Sequence, residues 1–484
     1  MKTARWILTA FLALSLLPAQ AFAGGFEIPG WGSRAMSRGA AFSVLADDLT
    51  AVQHNPGGLS RQSGTTMLLN HNTMWMPATF TRAASIMDLT GGTTPDDNPD
   101  PLATASNQNE LFALGGALML ASDFGTEDWN FALSVTGPNA FGGRSFPVQG
   151  GQRYMLTETE MLLIYYGASI AYGKKDSFGF GITAAYVDVP LARFGMVVDG
   201  TPAPTTPTPY YNPYDQESTL ELTDHTSWTL IAGGWWRIVP SLEWGISGRI
   251  VPINLNLTGS VDLQDIPGQT IPATVTPQNV QAGLDMVMPP TLNTGLRYRH
   301  LSNDREVFDV ELDYVYEAWS MLKAYDVTVT GTVELGPPIN SIIDVQSMKI
   351  DKRWKDTHSV RLGGTWNAVE DTFSLSMGGF WESAAVPLNY TNIDFMSFQR
   401  FGLGGGFRYT FAGIDLNVAY MYVAQEDREV DEKYGKVFQM RPLFPCSNPE
   451  NCSGLDGVPA NAGKLTSEYH QLNVSMAFHF DQWF

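Results

Sequence analysis

The chain has 484 residues, a formal net charge of −20 and only 2 cysteines. This acidic balance excludes a nucleic-acid-binding protein, because no basic stripe is present to neutralise phosphates. No apolar run reaches the roughly 20 residues that a membrane-spanning helix needs. Hydrophobic residues make up 44% of the chain and 47 residues are glycine, which is typical of an all-β protein with half-apolar strands.

The N-terminus predicts a secretory signal peptide over residues 1–23. Lys2 and Arg5 precede an apolar run over residues 6–17, and Ala21-Phe22-Ala23 follows as a small-x-small cleavage site. The alternative is a membrane anchor, for which the apolar run is too short.

Residues 24–62 form a second region, which lacks strand alternation and contains the turn Asn55-Pro56-Gly57-Gly58. The lumen of a large barrel must be filled unless the protein is an open pore. Because this is the only sizeable non-strand piece near the N-terminus, we expect it to fold inward as a plug.

Residues 63–484 contain repeated runs with a period of two, which predicts strands with one apolar and one polar face. One run sets apolar residues against acids, with Phe308, Val310 and Leu312 opposite Asp309, Glu311 and Asp313. A soluble barrel would not place acids repeatedly on its inner face. A polar interior with an apolar exterior therefore predicts a membrane barrel.

The connections between these runs alternate in length. Tight turns such as residues 174–176 and 302–304 alternate with long stretches such as residues 77–109 and 195–223. Short periplasmic turns and long outer loops are typical of outer-membrane barrels. The sequence predicts an antiparallel transmembrane β-barrel of about 14 strands in the outer membrane of a Gram-negative bacterium.

The final run also alternates. Its apolar face extends from Leu472 to the terminal Phe484, and its polar face includes Asn473, Ser475, His479 and Asp481. We expect the apolar face to contact outer-membrane lipid and to be recognised by the insertion machinery. The polar face should surround the plug.

The two cysteines, Cys446 and Cys452, enclose a short turn-rich segment. In a secreted chain this spacing predicts a disulfide that fixes a loop. A metal site is a poor alternative because no histidine or further cysteine nearby completes a tetrahedral set. No motif indicates a cofactor.

The plug region resembles the N-terminal hatch of the FadL family of outer-membrane transporters for long-chain fatty acids and hydrocarbons. The positions that carry this resemblance are Phe26, Arg34, Arg38, Asp47, Asp48, Asn55, Pro56 and Gly57. The family pattern has alanine where this chain has Gly57, which puts the packing of that turn in question. Further similarity lies in Met288-Pro289-Pro290-Thr291, Glu311-Leu312-Asp313-Tyr314 and Trp354-Lys355-Asp356-Thr357.

The resemblance implies a 14-stranded barrel closed by a hatch over residues 24–62, with the barrel over residues 63–484. Family members bind hydrophobic molecules in the lumen beside the hatch and release them sideways through a kink in the third strand. The matching positions here are Gly137, Pro138, Asn139, Phe141, Gly142 and Gly143, where proline and glycine disrupt strand pairing. The alternative is that these residues simply begin a loop.

A carboxylate head group would favour an arginine in the lumen. The candidates on inferred inward faces are Arg249, Arg297, Arg361 and Arg408. The alternative is that they pair across the lumen with acids such as Asp309, Glu311, Asp313 or Glu382.

The predicted function is uptake of a hydrophobic small molecule past the lipopolysaccharide leaflet by a monomeric barrel. The main alternative is a general diffusion porin for small solutes. An outer-membrane lipase or protease is the enzymatic alternative, but the 7 histidines are scattered and form no HExxH motif. We therefore expect no enzymatic activity.

Overall fold

The computed structural model describes residues 28–83, 104–137, 143–200, 214–266, 275–337, 339–443 and 459–482. Several sequence predictions fall outside these residues. They are the signal peptide, Phe26 of the hatch, the kink positions Pro138, Asn139, Phe141 and Gly142, the cysteines Cys446 and Cys452, and Phe484 at the end of the final run.

The described residues form 23 strand segments in one antiparallel barrel. The segments are β1 (Thr65–Trp75), β2 (Ala78–Arg82), β3 (Thr104–Ser106), β4 (Leu111–Ser122), β5 (Trp129–Thr136), β6 (Arg144–Ser145), β7 (Glu158–Lys174), β8 (Phe178–Asp199), β9 (Asp215–Val239), β10 (Leu242–Arg249), β11 (Ile253–Asp265), β12 (Val275–Met288), β13 (Thr291–Ser302), β14 (Arg305–Glu317), β15 (Ala324–Leu335), β16 (Ser341–Asp344), β17 (Met348–Asp351), β18 (Thr357–Val369), β19 (Phe373–Glu382), β20 (Arg400–Phe411), β21 (Ile414–Gln425), β22 (Arg428–Val430) and β23 (Gly463–His479).

Some strands of the barrel are interrupted, so that consecutive segments belong to one span. Segments β1 and β2 form one such span, and β14 and β15 form another. The segments then make fourteen spans, and the barrel closes where β23 pairs with β1 from Thr66↔His479 to Trp75↔His470. The predicted antiparallel barrel of about 14 strands is confirmed.

Short helical segments lie in the plug region and in some connections. The plug contains α1 (Ser33–Ser37), α2 (Ala51–His54) and a 3-10 helix (Pro56–Arg61). Further 3-10 turns are Trp319–Met321, Leu388–Tyr390 and Phe480–Gln482. Among the described residues, the helices are too short and too polar to cross a membrane.

The membrane-level part of the wall has an apolar outside and a polar inside. On β14 the outward residues Val310 and Leu312 are exposed, whereas Asp309, Glu311 and Asp313 are at most 2% exposed. The outward side chains face the bilayer, where apolar groups are stable. The inward acids face the plug.

The outer part of the wall has the opposite arrangement. On β11, Ile253, Leu255 and Leu257 are buried inside, whereas Asn254 and Asn256 are exposed outside. Segments β9, β12 and β15 alternate in the same way at their outer ends. A uniformly polar interior is therefore wrong for this level, because the wall here has water outside and an apolar lumen inside.

The final strand follows its predicted alternation only as far as His479. Residues Phe480–Gln482 form a 3-10 turn instead of continuing the strand. Asn473 on the inward face accepts a hydrogen bond from Ser33 of α1, so the polar face does contact the plug. His479 and Asp481 have separate partners, Asp415 at 3.2 Å and the backbone N–H of Thr65 at 2.7 Å.

Candidate functional site

The hatch, which we define as described residues 28–62, fits against glycines of the wall. A Cβ added at Gly57 would lie 2.8 Å from the carbonyl oxygen of Gly179 and 2.8 Å from Cα of Gly234. Gly39 has φ +60°, and a Cβ there would lie 2.1 Å from the backbone nitrogen of Gly379. Gly57 thus allows a backbone approach that the alanine of the family pattern would obstruct here.

Arg38 is the central cation between the hatch and the wall. Its guanidinium donates to Asp309 at 2.9 and 2.6 Å, to Glu311 at 3.0 Å and to Thr365 at 2.6 Å, and the side chain is fully buried. Burial alone would lower the pKa of Arg38, but the charges of Asp309 and Glu311 raise it above its ordinary value. Arg38 therefore stays charged and binds hatch to wall.

The same wall acids bind the hatch backbone. Asp313 accepts from the N–H groups of Phe42 and Ser43 at 2.9 Å each, and Glu311 accepts from the N–H of Val44 at 2.7 Å. These N–H groups lie in irregular structure, where no helix or sheet supplies acceptors. The inward acids of β14 thus satisfy both a buried cation and a buried turn.

Arg34 and Asp47 form an ion pair inside the hatch, with distances of 2.5 and 3.2 Å. Burial would raise the pKa of Asp47, but the Arg34 guanidinium lowers it to about 2. Asp48 instead accepts from the backbone N–H of Thr50 at 2.9 Å, which precedes α2. Burial raises the pKa of Asp48 to about 6.

Asn55 connects the turn to the barrel. Its oxygen accepts from the N–H of Gly57 at 3.1 Å, and its amide donates to the carbonyls of Ser43 at 2.7 Å and Gly234 at 3.1 Å. Pro56 then begins the 3-10 helix, where its fixed φ is favourable.

Sequence reasoning missed a second ionic contact, between Arg61 and Glu243. Arg61 lies 3.5 Å above the ring of Trp235 and donates to Glu243 at 3.1 Å. Glu243 also accepts from Arg297 at 2.9 Å and pairs with Arg237 at 3.0 Å. The only available signal was the position of Glu243 beside the outward Trp244 in an alternating run.

The four arginines proposed for a ligand head group have different surroundings. Arg297 pairs with Asp309, Glu306 and Glu243, which agrees with the alternative of pairing across the lumen. Arg361 donates to Ser359 and to the carbonyl of Ala40 and lies 3.8 Å from Glu382. Arg249 donates to the carbonyl of Pro289 at 3.3 Å.

The side chain of the fourth, Arg408, has no hydrogen-bond or ion-pair partner among the residues that the structure describes. Its charge contributes to the low pKa of Asp47. The four arginines lie on β10, β13, β18 and β20, and their contact with a ligand head group stays a prediction.

The register of the third span changes next to the hatch. In β5, Thr136 pairs with Tyr165 of β7, and in β6, Arg144 pairs with Thr159, so the register between these two pairs shifts by two residues. Trp31 of the hatch donates its indole N–H to the carbonyl of Gly137 at 3.2 Å, and Gln53 donates to Thr136. The hatch therefore contacts the wall at the end of β5.

An apolar cavity lies near the outer ends of the strands. It encloses about 680 Å³, including its open mouth, and its lining includes Leu220, Val261, Val280, Val329, Met348 and Met440. The sequence-based expectation put binding beside the hatch, whereas this cavity lies at the opposite end of the lumen. We call it the outer cavity.

A segment that we call the strap, residues 440–443, covers one side of the outer cavity. The N–H of Asp199 donates to the carbonyl of Met440 at 2.9 Å, and the N–H of Gln346 donates to that of Pro442 at 3.0 Å. Between them Arg441 pairs with Asp199 at 3.1 Å. The strap thus connects the end of β8 to the connection between β16 and β17.

Comparison with known proteins identifies the family. The sequence matches the family described as outer membrane protein transport protein (OMPP1/FadL/TodX) over residues 14–444. The chain belongs to this family. It is therefore a FadL-type barrel, and such barrels are outer-membrane transport proteins of Gram-negative bacteria.

Solved structures share the fold at low sequence identity. A FadL homologue from Pseudomonas aeruginosa has a TM-score of 0.70 at 15% identity, over 94% of this chain and 100% of that one. The toluene transporter TbuX from Ralstonia pickettii gives 0.60 at 12% identity, over 94% and 99%. The toluene transporter TodX from P. putida gives 0.64 at 12%, over 94% and 99%. No curated protein sequence matches this chain.

We predict that replacing Arg38 by methionine opens the barrel to ions. The change leaves Glu311 buried without a cation and leaves Asp309 with Arg297 alone, which costs about 3–5 kcal/mol. Single-channel conductance in planar bilayers should rise above that of the unmodified protein. Arg305→Met is the control, because its pair with Glu370 is exposed and contributes little. A silent, protease-resistant Arg38→Met protein would contradict the role of Arg38.

Two adjacent glycines of β20 test the fit of the hatch. A Cβ at Gly404 would lie 2.2 Å from the carbonyl oxygen of Met36, whereas one at Gly405 would lie 3.7 Å from that of Ser376. We expect Gly404→Ala to destabilise the protein by about 1–3 kcal/mol through overpacking. Gly405→Ala should have little effect on thermal unfolding in detergent. Equal melting temperatures for the two variants would show that the hatch does not pack closely against β20.

Acid should loosen the hatch at His54. Burial lowers the pKa of His54 to about 4 from an ordinary 6.5. A released hatch would take up the proton first, so this contribution to stability is present above pH 6.5 and is lost as pH falls toward 4. Because the ring is partly exposed, we expect a loss of about 1 kcal/mol.

Protease release of hatch peptides, followed between pH 7 and pH 4, measures this effect. Asp48 acts in the opposite direction, because its raised pKa favours the folded hatch at low pH. The comparison is therefore between the unmodified protein and the His54→Asn variant. Release of hatch peptides from the variant should depend less on pH. His71→Asn, at an exposed position, is the control. An identical pH profile for His54→Asn would contradict the assignment.

Proposed function

We propose that this protein takes up hydrophobic small molecules from outside the cell and releases them sideways through its wall. The observation that carries the proposal is an apolar outer lumen above a hatch held by buried ion pairs. A molecule can move down such a lumen without contacting water. The hatch then stops it from continuing straight into the periplasm.

The low solubility of a hydrophobic molecule in water supplies the driving force for its binding. Moving an alkyl chain from water into an apolar cavity gains about 0.8 kcal/mol per buried methylene. The buried lining of the outer half is continuous, from Val329 and Leu220 near the mouth to Met288 and Trp319 further down. A hydrophobic molecule therefore has contacts along the whole route.

Lateral release is supported by the change of register between β5 and β6. Trp31 contacts Gly137 at the end of β5, so the hatch and this irregular part of the wall are neighbours. Release at this level delivers the molecule into the hydrocarbon zone and avoids its return to water.

The charges at hatch level argue against an open porin. Arg38 and Glu311 are fully buried, and Asp309 is 2% exposed. A water-filled pore would leave such groups solvated. The similar TbuX and TodX structures are described as toluene transporters, which supports a hydrophobic substrate for this chain too.

The remaining parts of the proposal concern assembly. The chain loses residues 1–23, inserts with β23 as a signal for the insertion machinery, and works as a monomer surrounded by lipid and lipopolysaccharide. The arginines Arg249, Arg361 and Arg408 stay candidates for contact with a polar head group.

Uptake of a radiolabelled hydrophobic compound by cells that produce the protein tests the lateral route. A Cβ at Gly143 would already lie 3.0 Å from the amide nitrogen of Asn109. We therefore expect Gly143→Phe to obstruct the wall here and to reduce uptake at least about tenfold, while the purified protein still binds the compound. Ser145→Phe, two residues along the same span, is the control. Undiminished uptake by Gly143→Phe would mean that the exit lies elsewhere.

A further inference from the structure

We infer that the outer cavity selects uncharged hydrocarbons and rejects the carboxylates of the same carbon skeleton. This inference rests on the proposed uptake function and specifies its substrate class. Among the described lining residues, all are apolar or glycine except Gln216 and Ser218. Neither carries a charge, and Gln216 already donates to Asp265 at 3.3 Å.

Three cations beside the lining, or beside acids next to it, are already paired. Arg441, between the lining residues Met440 and Pro442, pairs with Asp199 at 3.1 Å. Lys349, between Met348 and Ile350, is exposed and lies 3.5 Å from Asp326. Arg153 pairs with Asp215, next to Gln216, at 2.6 Å. Each positive charge is neutralised by an acid of the wall, so a ligand carboxylate would have to compete with that acid.

The remaining loops cannot supply a cation either. Residues 84–103, 138–142, 201–213, 267–274 and 444–458 contain no lysine and no arginine in the sequence. Their charged residues are all acids, such as Asp96, Asp97 and Glu450. A carboxylate head group therefore finds no unpaired positive partner in these segments.

The surface around the cavity also opposes anions. The outward positions of the surrounding strands carry exposed acids, including Glu221, Asp262, Asp285 and Asp326. The whole chain has a formal net charge of −20. Such a field lowers the local concentration of anionic ligands. A carboxylate that does reach the cavity must lose its hydration without a compensating charge, which is unfavourable.

The test uses full-length protein purified in detergent and two matched pairs of probes at pH 7.5. The pairs are p-xylene with 4-methylbenzoate and decane with decanoate, and binding is measured by titration calorimetry. We expect each neutral compound to bind at least about tenfold more tightly than its carboxylate partner. Gln216→Arg, which adds a cation to the lining, should narrow that ratio by raising carboxylate affinity.

Adjacent positions of β15 assign the binding to this cavity. Val329→Phe fills the cavity and should weaken binding of the neutral compounds at least about tenfold, whereas Thr330→Phe faces outward and should not. Val261→Phe is a second filling variant from another strand, in case Val329→Phe fails to fold.

The outcomes separate this inference from the proposed function. Carboxylates that bind the unmodified protein as tightly as the neutral compounds, and lose affinity in Val329→Phe, would overturn the inference and leave hydrophobic uptake standing. Neutral binding that is insensitive to both filling variants would also overturn it. If none of the four probes binds the unmodified protein, the uptake function itself fails.

Discussion

The buried ion cluster of Arg38, Asp309 and Glu311 is the contact on which the closed state depends. Charges without water are stable only when each is paired and hydrogen-bonded. Here the guanidinium meets both carboxylates, and the remaining acceptor capacity of Glu311 is used by backbone N–H groups of the hatch. Neither the hatch nor β14 could bury these groups alone. The cation of the hatch compensates the buried acids of β14, and those acids compensate the cation.

The lumen has two levels that differ in chemistry, with the buried ion cluster in the lower one. Ionic contacts fill the lower level, including the second pair of Arg61 and Glu243. The upper level has no comparable charged filling on β11, where Ile253, Leu255 and Leu257 point inward. The change coincides with breaks in the strands, at Pro289 between β12 and β13 and at Trp319 between β14 and β15. A hydrophobic molecule therefore meets an apolar surface along β11 in the upper level.

The barrel could be predicted from the sequence because its signal is local. A period of two identified the inward face of β14 from Asp309, Glu311 and Asp313 alone. The partner of these acids could not be found in the same way, since Arg38 and Asp309 are 271 residues apart. Periodicity also cannot say which face is inside. On β11 the alternation of Leu255 with Asn256 is equally clear, yet the apolar face points inward because that part of the wall is surrounded by water.

For a related reason, the hatch was easier to locate from the sequence than the outer cavity. The hatch has a fixed shape, set by turn residues such as Asn55 and by glycines that admit close backbone contact, and these leave a recognisable sequence pattern. The outer cavity needs only apolar side chains on several distant strands, and valine or leucine satisfies this at many positions. Its selectivity lies in the pairing of nearby cations such as Arg441 and Arg153 with wall acids. Only the three-dimensional arrangement makes that pairing visible.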